Sequence, residues 1–276
     1  MNEKLMSILS KPFLKWAGGK SKLVPTLSEY LGIEGRLVEP FVGSGAVFMG
    51  TEFNDYLLCD INPDLIGLFN NIKKNSSDLI SQVSEIFEGK YNSEESFYDL
   101  RSEFNKLQSD DLRKSVLFVY LNKHAFNGLC RYNSKGFFNV PYGRYSSPTA
   151  PIKAIEQFSL KCTIAEFICA DFATTFEMLK EGDVVYCDPP YVPLSASSNF
   201  TAYSKGSFND KSQLLLAQLA EKAKEKKIKV VMSNNDTDFT RKIYANAALH
   251  QLEVHRSISS KSSTRGKVNE LIAVFG

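Results

Sequence analysis

Short apolar blocks separated by polar and glycine-bearing stretches run along the 276-residue chain in the pattern of an α/β protein. Residues 36–42 and 56–61 are apolar runs of strand length without the helical period, which predicts buried parallel strands. A glycine-bearing turn and a short helix between them would complete the first crossover of a doubly wound sheet. Asn62 and Pro63 then offer a side-chain cap and a first-turn proline for a helix over residues 64–74. Further helices are predicted over residues 78–88, 94–107 and 112–124, so no core strand is expected between residues 62 and 163. Residues 126–145, rich in Asn, Gly and aromatics, read as a loop and a hairpin. Strands are expected again at residues 164–170, 183–187 and 228–232, with a helix over 210–226. Residues 249–255 and 270–275 read as a closing hairpin around a polar, basic loop. The predicted organisation is one α/β domain from residues 1–63 and 151–276, interrupted by an inserted helical and hairpin domain over residues 64–150.

Composition supports a globular chain, with 43% hydrophobic and 23% charged residues. Its longest apolar run, residues 116–121, is too short to cross a bilayer, and residues 1–10 carry no secretory pattern, so a cytoplasmic protein is expected. Five scattered cysteines without a CxxC pair predict buried thiols and neither a disulfide framework nor a metal site. The three histidines have no ligand spacing and are expected at the surface or in packing. The net charge of +2 is uninformative, but its distribution is not. Residues 112–155 hold seven basic side chains (Arg113, Lys114, Lys123, Arg131, Lys135, Arg144 and Lys153), no Asp or Glu, and eight aromatics. Such interleaving suits a surface that neutralises phosphates and stacks on bases; an aromatic satellite core with a solvated rim is the alternative.

Three segments can carry chemistry. Phe41-Val42-Gly43-Ser44-Gly45 leaves the first strand with two glycines, which would let a cofactor approach the backbone. Asp60, at the end of the second strand, could accept hydrogen bonds from ribose hydroxyls. That pair suits NAD and S-adenosylmethionine about equally, and a turn with a helix cap is the structural alternative. Asp188-Pro189-Pro190-Tyr191 separates these possibilities, because it follows a central strand where an open α/β sheet places its active site. Its two prolines stiffen the loop and leave carbonyls available as acceptors. An exocyclic amine is a poor nucleophile, since its lone pair is delocalised into the ring. A carboxylate and a carbonyl that each accept one of its N–H bonds would draw the nitrogen towards tetrahedral geometry and favour attack on an electrophilic methyl group. The Tyr191 ring could stack on a base that has left the duplex. No Pro-Cys dipeptide occurs, so attack on cytosine C6 by a thiolate is not indicated. Lys15-Trp16-Ala17-Gly18-Gly19-Lys20 lacks phosphate-loop spacing, although its tryptophan could cover an adenosyl group.

In order along the chain, residues 15–20, 41–45, Asp60 and 188–191 resemble the Dam-type DNA adenine-N6 methyltransferases, an alpha-group amino-methyltransferase family. The likeness extends over residues 126–133, 138–145 and 256–260, and so over essentially the whole chain. It implies a Rossmann-like class I methyltransferase sheet with an antiparallel last strand, S-adenosyl-L-methionine as donor, double-stranded DNA as substrate and GATC as target. Trp16, Lys20, Asp60 and Asp188 are implied as cofactor contacts, with Phe41, Gly43 and Gly45 beside the methionine part and Asp171 near the adenine ring. For DNA the likeness points to Lys15, Phe126, Asn127, Leu129, Arg131, Asn139, Pro141, Arg144 and Tyr145. Among these, Arg131 suits a guanine, whose O6 and N7 a guanidinium can bond together. The family's best-known member has a tyrosine where this chain has Phe126, which keeps a ring for intercalation and loses a hydroxyl.

The expectation is therefore a bacterial or phage enzyme, monomeric and without metal, that flips adenine out of a short duplex site, with Asp188, Pro189 and Tyr191 as catalytic residues. Methylation of cytosine N4 or of RNA adenine, an NAD-linked oxidoreductase, and a DNA-binding protein without catalysis are the rival readings. Neither biological role, whether repair, replication, regulation or restriction-modification, nor processivity follows from the sequence.

Overall fold

The computed structural model describes residues 12–192, 208–255 and 267–276. These residues fall into two compact units: one from residues up to 25, 42–52 and 60–169, the other from 26–41, 53–59 and 170 onward. Among the described residues there are seven strands: β1 (Arg36–Glu39), β2 (Asp55–Asp60), β3 (Ala165–Cys169), β4 (Val184–Cys187), β5 (Lys229–Asn235), β6 (Ala248–His255) and β7 (Lys267–Phe275). They form one sheet in the order β3-β2-β1-β4-β5-β7-β6. β1 pairs in parallel with β2 and β4, and β4 with β5, whereas β7 runs antiparallel to both β5 and β6. This is the expected methyltransferase-type sheet with its antiparallel final strand. The chain order reverses between β1 and β4, so their carboxyl ends flank the crevice where such sheets bind ligands.

The first expected strand ends early, at Glu39 rather than at residue 42. Gly43 and Gly45 take positive φ values of 50° and 72°, which turns the chain out of the sheet and into helix α2 (Ala46–Gly50). Asp183, expected inside β4, lies just before it and forms a nearly buried ion pair with Arg36 at 2.8 Å. Short helices α1 (Val24–Leu31), α6 (Ile152–Lys161) and α9 (Asp238–Ile243) are additions to the sequence-based layout.

Asn62 caps helix α3 (Pro63–Ile86) as anticipated, accepting from the backbone N–H groups of Asp64 and Leu65. The two helices expected over residues 64–88 are the two segments of this element, separated by a kink where Asn75 leaves helical geometry (φ −135°, ψ 38°). α3 packs on α5 (Leu112–His124), α6 and β3. Phe13, Phe48, Phe69, Phe158 and Phe167 form the aromatic core of this unit, with ring centroids 4.8–6.2 Å apart. Helix α4 (Glu94–Phe104) contributes buried Phe97 and Phe104 against α5. The expected hairpin over residues 126–145 is looser than a regular one: a 3-10 turn at Phe126–Gly128 and isolated antiparallel bridges Ala125–Tyr142 and Tyr132–Phe138. Segment 256–260, part of the family likeness, lies outside the described residues.

Candidate active site and nucleic-acid interface

In the second unit, β4 delivers the Asp188–Tyr191 loop at its carboxyl end. Side chains from β5, β7 and helix α8 (Asp210–Glu225) hold this loop in place. The half-buried Asp188 accepts a hydrogen bond at Oδ1 from the Ser233 hydroxyl, at 3.1 Å. That hydroxyl lies 2.9 Å from the phenol oxygen of Tyr186. Because Ser233 has one proton and directs it at Asp188, Tyr186 donates to Ser233. Tyr191 donates to Glu270 Oε2 at 3.1 Å, and burial, with Asp188 close by, pushes its phenol well above the usual value. Its hydroxyl therefore stays protonated, and the ring is fixed by its tip. The backbone N–H of Val192 donates to Asn234 Oδ1 at 3.1 Å.

The Pro190 carbonyl already accepts from Gln213 Nε2 at 2.8 Å, which leaves it one lone pair. Asn234 in turn donates to Gln213 Oε1 and to the Tyr244 hydroxyl, each at 3.1 Å. Burial raises the Cys187 thiol well above its ordinary value, which argues against a thiolate nucleophile there.

Also in the second unit, Phe41 stacks on Phe172 with centroids 5.8 Å apart, and Phe208 meets both edge-on. Asp171 caps helix α7 (Phe172–Glu177) by accepting from Thr174 N–H at 2.8 Å and is exposed. Glu39 is buried at the end of β1.

In the first unit the glycine turn is tied to Asp60. Gly43 N–H donates to Asp60 Oδ2 at 3.1 Å, and Asn62 N–H donates to Oδ1 at 3.0 Å. Burial raises the Asp60 pKa, while these backbone donors oppose the rise. With Ile61 N–H as a third backbone donor, the carboxylate still keeps acceptor capacity for a ligand. A Cβ on Gly43 would stand 2.8 Å from Trp16 Nε1, so the indole lies directly against the turn. Lys20 is buried, and its ammonium donates to the Gly18 carbonyl at 2.8 Å.

The basic, aromatic segment is narrower as a surface than its composition suggested. Lys114 is buried against Asp64 at 3.0 Å, and Arg113 pairs with Glu103 at 2.8 Å, both acids lying outside the segment. Phe118, Tyr120 and Phe138 are core residues. What remains exposed is a cluster around residues 126–145. Phe126 is 51% exposed, a large ring open to solvent beside Asn127. The Lys15 ammonium lies 4.3 Å from the centre of the Tyr145 ring, and the Tyr145 hydroxyl accepts from Asn127 N–H at 3.0 Å. Asn122 ties Lys15 into the same cluster by accepting from its N–H and donating to its carbonyl, each at 2.8 Å. Asn127 and Arg144 hold φ near 55°, unusual for non-glycine residues and a form of strain that gathers at functional positions. Arg144 makes an exposed ion pair with Glu94, Pro141 accepts from Phe126 N–H, and Leu129 is half-buried.

His124 is a packing residue, stacked 3.9 Å from the Tyr120 ring centre. The thiol expectation holds for Cys59, Cys162 and Cys187 but not for the half-buried Cys130 or for Cys169, which is exposed at the end of β3. Among the described residues there is no metal-binding cluster and no helix long and apolar enough to cross a membrane. Residues the sequence did not single out are Ser233, Glu270, Gln213 and Asn234 around the loop, and Asn122 and Asp64 around the basic segment.

Residues 16–258 match the family of D12 class N6 adenine-specific DNA methyltransferases. The chain is similar to the DNA adenine methylases of Escherichia coli (strain K12) and Salmonella typhi, each 47% identical over 266 residues that cover 96% of this chain and 95% of the relative. A DNA adenine methylase of Vibrio cholerae serotype O1 is 46% identical over 267 residues, 96% of each chain. With its family matched over most of its length, its antiparallel-ended sheet and its Asp-Pro-Pro-Tyr loop, this chain belongs to the D12 class N6 adenine-specific DNA methyltransferases.

Proposed function

We propose that the chain transfers methyl from S-adenosyl-L-methionine to N6 of an adenine flipped out of a GATC site in double-stranded DNA, working as a monomer in the bacterial cytoplasm. The observation that carries this reading is the Asp188–Tyr191 loop at the β1/β4 switch point, with its carboxylate aligned by Ser233 and its aromatic ring pinned by Glu270. The first unit suits the donor. An indole covers a glycine turn whose backbone is anchored by a carboxylate with acceptor capacity to spare. Trp16, Lys20, Phe41, Gly43, Gly45, Asp60 and Asp171 are the residues proposed to hold it. When bound, the donor supplies an electrophilic methyl group on a sulfonium.

Asp188 accepts one N6–H bond and the Pro189 carbonyl accepts the other, which localises the nitrogen lone pair towards the methyl group. Tyr191 stacks on the extruded base, its ring held at the hydroxyl by Glu270. Because Asp188 is already oriented by Ser233, the amine meets an acceptor that needs no rearrangement. Residues 64–150 act as the inserted recognition domain. Within it Phe126 enters the stack, Arg131, with Asn139 bonded to it, reads a guanine, and Asn127, Leu129, Pro141, Arg144 and Tyr145, with Lys15 beside them, contact bases or backbone.

The test is to methylate random duplex DNA with labelled donor, digest it to nucleosides and sequence the labelled fragments. N6-methyladenine confined to GATC is the expected result. Label at another sequence would overturn the target, and label on cytosine N4 would overturn the chemistry.

A further inference from the structure

Arg131 is exposed, yet its guanidinium does not swing freely over the surface. Its Nε donates to Asn139 Oδ1 at 2.8 Å, and its Nη2 donates to the Asn139 carbonyl at 3.2 Å. Asn139 N–H returns a bond to the Arg131 carbonyl at 3.0 Å. One residue thus holds the whole Nε/Nη2 side of the fork. A guanidinium has five N–H donors, so the end formed by Nη1 and the second Nη2 proton keeps the geometry to bond guanine O6 and N7 together.

The clamp itself stands on a rigid base. Asn105 brackets the preceding residue, accepting from Phe138 N–H at 2.8 Å and donating to its carbonyl at 3.1 Å. The next residue after the arginine, Tyr132, donates to Asp64 Oδ2 at 2.8 Å, and Asp64 Oδ1 is held by Ser109 at 2.6 Å and Lys114 at 3.0 Å. Asp64 and Lys114 are buried in this unit. Both ends of the 131–139 segment are therefore fixed to the helices beneath it, and a lone long side chain is presented in one orientation.

We propose that Asn139 is a positioning residue for sequence reading: it binds no base itself but holds Arg131 so that the end of its guanidinium faces guanine. This inference rests on Arg131 being the guanine reader. A phosphate contact by Asn139 is the competing role. The two differ in what they do to specificity, since a phosphate contact carries no sequence information.

The experiment measures kcat/KM on the cognate duplex and on duplexes substituted at each position in turn, for the full-length wild type, Arg131→Ala, Asn139→Ala, Asn139→Asp and the Arg131→Ala/Asn139→Ala double variant. Asn139→Ala should lower discrimination roughly ten-fold at the same single position that Arg131→Ala relaxes, and leave the others unchanged. Asn139→Asp keeps the acceptor and should restore most of the discrimination. In the double variant Asn139→Ala should add nothing to Arg131→Ala, because its target is gone. Uniform loss on every duplex, additive with Arg131→Ala and accompanied by a smaller salt dependence, would make Asn139 a phosphate contact and overturn the proposal. If Arg131→Ala itself leaves discrimination intact, the assignment of Arg131 as reader fails, and the Asn139 proposal falls with it.

Discussion

Replacing Ser233 by alanine separates the positioning of Asp188 from the stability of the fold. Ser233 is fully buried, donates to Asp188 at 3.1 Å and receives the Tyr186 hydroxyl at 2.9 Å. The substitution removes a hydrogen bond to a charged group, worth about 1.5–3 kcal/mol, and strands a buried phenol. Overlap between these two effects leaves an expected loss of about 3 kcal/mol, or about 6 °C in Tm for a chain of this size. Turnover should fall roughly ten- to a hundred-fold, because the carboxylate that meets the amine is no longer held in one orientation. Adding Tyr186→Phe removes the stranded hydroxyl, so the double variant should regain about half of the lost stability while its kcat stays low. Thermal melts and single-turnover methyl transfer on one duplex give both quantities. A kcat that recovers together with Tm would show that the single variant failed through stability, and an unchanged kcat in Ser233→Ala would refute the positioning of Asp188.

Two further predictions test the other half of the structure. His124 is buried with Nδ1 2.9 Å from the Tyr120 carbonyl; burial, then the Lys15 charge, lowers its pKa to about 4 despite that bond. The unfolded chain takes up the proton first, near pH 6.5, so the stability His124 contributes is complete above that value and lost as pH falls towards 4. Urea midpoints across this range should fall less steeply for His124→Phe, and an unchanged slope would remove His124 as the cause. Gly43→Ala forces a side chain into left-handed geometry and against Trp16 Nε1, at a cost of about 1–2 kcal/mol for the backbone alone. Donor affinity by calorimetry should weaken about ten-fold, with discrimination among duplexes intact, and wild-type affinity would exclude this turn from the donor site.

What the sequence made legible is local. Uninterrupted apolar runs mark buried parallel strands whatever their partners, and Asn62-Pro63 caps a helix with atoms two and three residues away. Even the Asp188–Tyr191 loop is visible, since the groups proposed to act lie in four consecutive residues after such a run. Its supports are not. Ser233 and Asn234 sit within β5 and read as polar interruptions, Glu270 belongs to the last strand, and Gln213 is one polar residue on an amphipathic helix. The register of the sheet brings the three strand residues beside the loop, and the packing of α8 brings Gln213 to it. The charge pattern misled for the same reason: Lys114 and Arg113 find their acids, Asp64 and Glu103, outside the segment that was counted. The break between the two helices predicted over residues 64–88 is present at Asn75, where the chain kinks without a proline or glycine.

The most direct test of the account is methyl transfer by Asp188→Ala, measured beside duplex binding by the same preparation. Asp188 lies at the open end of β4 with its carboxylate only half-buried, so its removal should leave the fold and the exposed Phe126–Tyr145 surface intact. The account predicts that transfer to adenine falls below detection while affinity for the cognate duplex stays within a few-fold of wild type. Turnover equal to wild type would contradict the central claim that this carboxylate activates the amine.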